Sequence, residues 1–301
     1  MWRCPEVRQG ALIRRHVAGM LAGTLSETRN WGRGMASVRA NGRELSYEDT
    51  GGDGIPLVLG HGFFLDSTVF APLAAGLGRE WRVIGWDARG HGGTADDGQP
   101  FDYWDLARDL LGLLDALGLE RAVAGGISQG GFIALRAALL APERVEGLVL
   151  MDTEATPCDP DDRAGYERLF AALDQHGPAD ELTGPLAAQL LGDPALERQW
   201  RQTWQQRSLP LGAPARCLME RDDVSGRLGE IACPALLMWG SQDHSLPYDR
   251  MQLLDRRLPG ASGVTVIDGA AHTPTLTHPG QVIAALTAFR PRLTTAGAAL
   301  R

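Results

Sequence analysis

Ser128 lies within Gly126-Ile127-Ser128-Gln129-Gly130, a Gly-x-Ser-x-Gly spacing that can turn a serine hydroxyl into a nucleophile. A short apolar run, Ala122-Val123-Ala124-Gly125, precedes it, and a helix-like run, Gly131-Phe132-Ile133-Ala134-Leu135-Arg136, follows. A strand-to-helix turn that tight needs glycine on both sides of the serine. It lifts the hydroxyl above the sheet edge and aims the free N–H groups of the next helix at it, where a developing oxyanion would be stabilised. With 38 glycines in 301 residues, chance alone yields roughly 0.16 such matches, so the assignment depends on its context.

A nucleophilic serine needs a base, a group that orients the base, and donors for the oxyanion. The base candidate is His272 in Gly269-Ala270-Ala271-His272, just beyond the last apolar strand. The acid candidate is Asp243 in Trp239-Gly240-Ser241-Gln242-Asp243, with Asp152, at the end of Leu150-Met151-Asp152, as the second place for that role. Either aspartate could instead be a helix cap or turn residue. The oxyanion donors expected are the peptide N–H groups of Phe63, in His61-Gly62-Phe63-Phe64, and of Gln129. His61 reads as a structural support of its loop, and His278, beside Pro279, as the start of the final helix.

The elements that must hold these groups alternate. Apolar runs at 56–59, 82–86, 122–124, 147–151, 235–239 and 264–267 read as strands buried on both faces, and 104–117 and 132–140 as helices between them. A hairpin turning at Asn41-Gly42 precedes them. This order predicts a mostly parallel α/β sheet with helices on both faces. Between Met151 and Pro234 the pattern changes to helical runs such as 165–173 and 194–206, with no comparable strand. A connection that long predicts a helical insertion over the carboxyl edge of the sheet, where open α/β sheets bind ligands. Its Leu169, Phe170, Leu190, Leu191, Trp200 and Trp204 would face a pocket or form a small core of their own. The boundaries expected are a flexible extension over 1–34, a core over 35–153 and 233–292, a lid over 154–232 and a loose tail over 293–301.

Composition removes several classes. A formal net charge of −8 argues against nucleic acid or an anionic membrane as partner, and no apolar stretch is long enough to span a bilayer. All 29 basic residues are arginine, which excludes Schiff-base chemistry on lysine. Cys4, Cys158, Cys217 and Cys233 lack metal-ligand spacing and are expected to be free thiols in a cytoplasmic protein. No metal or cofactor pattern is legible, and neither is an oligomeric state.

Taken together, the elbow, the His61-Gly62 loop, Asp87-Ala88-Arg89-Gly90-His91-Gly92, Gly240-Ser241-Gln242-Asp243 and Gly269-Ala270-Ala271-His272 resemble, in order and spacing, the α/β-hydrolase superfamily over about residues 37–292. The resemblance implies an α/β-hydrolase fold with a helical lid, a Ser128–His272–Asp243 triad, and a structural turn around His91 with no chemistry of its own. Ser128 at the elbow, where other branches carry aspartate, speaks against epoxide hydrolase and haloalkane dehalogenase chemistry. The compact lid looks most like small esterases, enol-lactone hydrolases and carbon–carbon bond hydrolases. The expected substrate is a small or medium carboxylic ester or lactone, with Phe64, Trp200 and Trp204 as binding residues. Alternatives are cleavage of a carbon–carbon bond beside a ketone, cofactor-free haloperoxidase or perhydrolase chemistry, and a ligand-binding receptor with residual turnover. Arg201, Arg207, Arg216 and Arg221 are expected either to form a solvated surface of the insertion or to bind a substrate carboxylate.

Overall fold

The apolar runs form one eight-stranded sheet in a computed structural model that describes residues 34–298, with side chains as far as Leu293. The strands are β1 Ala36–Ala40, β2 Arg43–Asp49, β3 Ile55–Gly60, β4 Trp81–Trp86, β5 Ala122–Ile127, β6 Val145–Met151, β7 Ala235–Gly240 and β8 Val264–Ile267. Their spatial order is β1-β2-β4-β3-β5-β6-β7-β8. β1 and β2 pair antiparallel and β2 joins β4 antiparallel, while the pairs from β4 to β8 are parallel. Asn41 and Gly42 both have positive φ, 46° and 74°, as a two-residue hairpin turn matched to strand twist requires. The proposed extension over 1–34 lies outside the described residues except for Gly34.

The helices are α1 Ala71–Gly76, α2 Tyr103–Ala116, α3 Gln129–Leu140, α4 Pro160–His176, α5 Asp180–Leu191, α6 Pro194–Gln206, α7 Ala213–Met219, α8 Tyr248–Arg257, α9 Pro274–Thr277 and α10 Pro279–Ala298. Every residue of β5 is buried, as expected of a central strand covered on both faces. Such positions dominate the core, and each fully buried Leu, Val or Ile contributes about 1.5–3 kcal/mol.

Three local features differ from the sequence pattern. α5 forms although Gly184 and Pro185 lie within it, because Ala187, Leu190 and Leu191 bury one face and tertiary burial outweighs a poor propensity. α7 is a seven-residue helix with no clear periodic signal. Over the described part of the tail expected to be loose, α10 continues through Pro291 to Ala298. Leu293 is buried over the backbone of β6, where a Cβ added at Gly147 would lie 2.5 Å from its side chain.

The strand order reverses direction between β3 and β5, which leaves a crevice at their carboxyl ends. The first turn of α3 packs directly on the end of β3. A Cβ added at Gly130 would lie 1.9 Å from the Gly60 carbonyl oxygen, and one at Gly126 would lie 2.1 Å from the same atom. Gly130→Ala is therefore expected to destabilise the protein by about 3 kcal/mol. Urea or thermal unfolding should show this loss, together with slower labelling of Ser128 by a fluorophosphonate. Wild-type stability would contradict the close approach.

Candidate active site

Ser128 directly follows β5, Asp152 directly follows β6, Asp243 lies three residues past β7, and His272 lies beyond β8. The parallel register brings all four strand ends to one edge of the sheet. Ser128 has φ 53° and ψ −114°, a backbone region that costs a non-glycine residue roughly 1–3 kcal/mol and is found where function requires it. Its N–H donates to the Met151 carbonyl at 3.0 Å, and its carbonyl accepts from Gly131, Phe132 and the Thr153 hydroxyl. The backbone is thus pinned on both sides while the side chain stays partly exposed.

His272 is buried and its Nδ1 lies 2.8 Å from Asp243 Oδ2. The other oxygen of Asp243 accepts the N–H groups of Ser245 at 2.7 Å and Leu246 at 3.3 Å. With both oxygens engaged, Asp243 holds the imidazole with its proton on Nδ1 and Nε2 free to act as a base.

Asp152 joins the same cluster. Ligand-type atoms of Asp152, Asp243 and His272 all lie within 4.8 Å of one another. Asp152 Oδ1 accepts the Gly240 N–H at 2.8 Å, and its φ is 45°. Burial pushes its carboxyl well above the usual carboxylate range, and the charge of Asp243 adds to this. Asp152 therefore favours its neutral form beside Asp243. Its Oδ2 has no hydrogen-bond partner among the described residues. On Asp243 burial also acts upward, but His272, the Ser245 N–H and Asp152 outweigh it and hold the carboxyl below its ordinary value. These three residues form a donor set that would suit a cation, but His272 Nδ1 and Asp243 Oδ2 are engaged with each other, and Oδ1 of each aspartate with backbone N–H groups.

The loop after β3 lies beside the serine: a Cβ built on Gly62 would be 3.8 Å from Ser128 Cβ. The peptide N–H groups of Phe63 and Gln129 have no acceptor among the described residues. His61 is structural, as the sequence suggests, with Nδ1–H donating to the Gly62 carbonyl at 2.8 Å and Nε2 accepting from Ala88 N–H at 3.1 Å. One network was not legible in the sequence. The buried Gln129 side chain makes long contacts with His61 Nδ1 and Tyr103 Oη at 3.5 Å and with His91 Nε2 at 3.4 Å. Burial, with His61 nearby, pushes His91 well below the usual histidine range. Its neutral ring donates through Nδ1 to the Arg89 carbonyl at 3.0 Å, which leaves Nε2 to accept from Gln129. His91 also meets Phe63 edge-on at 5.0 Å. Only the Asp87-to-Gly92 motif hinted at this support.

Of the residues expected to contact substrate, Phe64 and Trp204 come together, with ring centroids 6.2 Å apart. Phe170 joins Phe63 and Phe64 at 5.5 Å and 5.7 Å. Trp200 lies 6.3 Å from Trp204 and lines both a small cavity shared with Phe64 and Trp204 and a cavity of about 410 Å³ beside Asp66, Thr68 and Pro72. Of Arg201, Arg207, Arg216 and Arg221, three are paired: Arg201 with Asp180, Arg207 with Asp66 and Arg221 with Glu154. Arg216 is exposed. Cys158, Cys217 and Cys233 are free thiols, and Cys4 lies outside the described residues. No helix among the described residues is long and apolar enough to cross a membrane.

Residues 55–279 match the sequence pattern of the alpha/beta hydrolase fold. The chain is 33% identical over 257 residues to a pimeloyl-[acyl-carrier protein] methyl ester esterase of Xanthomonas campestris, a match covering 80% of this chain and 97% of that protein. It is 32% identical over 269 residues to the dihydrolipoyllysine-residue acetyltransferase component of an acetoin cleaving system of Pseudomonas putida, covering 84% of this chain and 68% of that protein. Among solved structures, a thermophilic esterase from Thermogutta terrifontis superposes with a TM-score of 0.77 at 29% identity, covering 86% of this chain and 98% of that one. With the eight-stranded sheet and the strained serine between β5 and α3, these matches lead to one conclusion: the chain belongs to the α/β hydrolase fold family and is a hydrolase.

Proposed function

We propose that the protein hydrolyses a small or medium carboxylic ester or lactone through an acyl-enzyme on Ser128. The observation that carries this reading is the buried His272–Asp243 pair, 2.8 Å apart, at the same sheet edge as a serine held in a strained turn. His272 Nε2 takes the Ser128 proton as the hydroxyl oxygen attacks the carbonyl carbon. The Phe63 and Gln129 N–H groups, aided by the N-terminus of α3, stabilise the tetrahedral oxyanion. As the intermediate collapses, His272 returns the proton to the leaving alcohol oxygen. A water, deprotonated by His272, then releases the acid and regenerates Ser128. Asp243 fixes the tautomer and stabilises the imidazolium throughout.

The substrate class follows from what surrounds the loop after β3. Phe63, Phe64, Phe170 and Trp204 make an apolar wall, and the arginines that would clamp a second charge are largely held by acids of the protein. The esterase names of two relatives support the same reading. Fold alone does not separate ester hydrolysis from other chemistry on such a site, so the test is a panel. Steady multiple turnover of p-nitrophenyl acetate or a simple lactone is expected, with fluorophosphonate labelling of Ser128. A single acylation without turnover would point to a ligand-binding receptor. Turnover of a ketone at a carbon–carbon bond, with esters inert, would point to the carbon–carbon hydrolase alternative.

A further inference from the structure

We propose that Trp204 is a positioning residue that holds the oxyanion loop in its working conformation, so that the Phe63 donor is set only while the helical insertion is docked. The proposal rests on the reading of Phe63 N–H as an oxyanion donor. The loop turns over Gly62–Leu65, with the Leu65 N–H donating to the Gly62 carbonyl at 3.1 Å. Phe64 occupies the third position of that turn with φ +67°, where glycine or asparagine is usual and a phenylalanine is disfavoured. Something outside the loop must therefore hold it. The Trp204 indole N–H, from α6 and 140 residues away in sequence, donates to the Phe64 carbonyl at 2.7 Å in a buried contact. The Phe64 and Trp204 rings stand 6.2 Å apart, and Phe170 of α4 lies 5.7 Å from Phe64.

Without the indole donor the Phe64 carbonyl would be buried and unsatisfied, and the simplest relief is rotation of the Phe64 backbone out of positive φ. That rotation swings the Phe63–Phe64 peptide and, through the Phe63 Cα, shifts the Gly62–Phe63 peptide that carries the Phe63 N–H. Trp204 thus acts through the loop and not on the acyl group itself. A side chain that merely walled the pocket would instead affect ground-state binding.

The experiment compares Trp204→Phe with the wild type and with Trp104→Phe, which removes an indole hydrogen bond to Asp222 far from the loop. For p-nitrophenyl acetate, Trp204→Phe should lower kcat about 10- to 100-fold, the range between losing one buried hydrogen bond and losing one oxyanion donor. KM should stay within about threefold, since a loss confined to the transition state leaves ground-state binding in place. Affinity for phenylboronic acid, which forms a tetrahedral adduct on the serine, should fall in parallel, whereas Trp104→Phe should change neither. If Trp204→Phe folds poorly, Trp204→3-benzothienylalanine keeps the bicyclic shape, lacks the N–H and should show the same kcat loss. A wild-type kcat in either Trp204 variant, or a loss expressed only in KM, would overturn the proposal while an inactive Ser128→Ala left the acyl-enzyme reading intact. An active Ser128→Ala would remove both.

Discussion

Ser128→Ala is expected to lower kcat for any ester the wild type turns over by on the order of 10⁴–10⁶, with little change in KM. The hydroxyl oxygen is the attacking atom, and no neighbouring group can take its place. The remaining rate would come from the oxyanion donors acting on a water molecule. Stability should stay within about 0.5 kcal/mol of wild type, because the change is small and the backbone bonds that pin residue 128 are kept. Ser128→Gly should be equally inactive but more stable by about 1–2 kcal/mol, since glycine adopts φ 53° without the penalty the serine bears. Measuring turnover and urea unfolding on both variants separates the two effects. An active Ser128→Ala would sink the covalent mechanism. A Ser128→Gly no more stable than wild type would show that the elbow stores no strain.

The second large effect distinguishes the two buried aspartates. Asp243→Asn should lower kcat by about 10³–10⁴, and the reason is hydrogen-bond direction. Oδ1 of Asp243 accepts from the Ser245 and Leu246 N–H groups. An amide at 243 would keep its oxygen there and turn its NH₂ towards His272. Imidazole Nδ1 would then become the acceptor, and the ring proton would move to Nε2, where no base remains for Ser128. Asp152→Asn should stay within about fivefold of wild type, because an asparagine keeps the acceptor for Gly240 N–H and is uncharged, as burial favours for the carboxyl it replaces. Asparagine also tolerates φ 45° better than most residues. Asp152→Ala should lose about 1–3 kcal/mol of stability through the unsatisfied Gly240 N–H. Steady-state kinetics on the three variants decides between the acids. If Asp152→Asn were as damaging as Asp243→Asn, Asp152 would share the role of orienting His272.

What the sequence determined by itself was everything governed by local backbone sterics and periodicity. Buried apolar runs spaced by helical segments specify a parallel sheet, the flanking glycines specify the turn at Ser128, and Ser, Asp and His each appear beside a strand end in a readable order. The tertiary structure decided what depends on groups distant in the chain. Both Asp152 and Asp243 follow strands, and only the register of β6, β7 and β8 shows that Asp243 Oδ2 meets His272 Nδ1 while Asp152 Oδ1 accepts the Gly240 N–H. Trp200 and Trp204 are one helical turn apart and share a cavity with Phe64, yet it is the Trp204 indole that bonds the loop beside Ser128. α5 formed across Pro185 because the burial of Ala187, Leu190 and Leu191 outweighed local propensity. Propensity and turn chemistry are set by a few neighbouring residues, whereas a hydrogen bond across 140 residues or the proton on a buried carboxyl is set by packing.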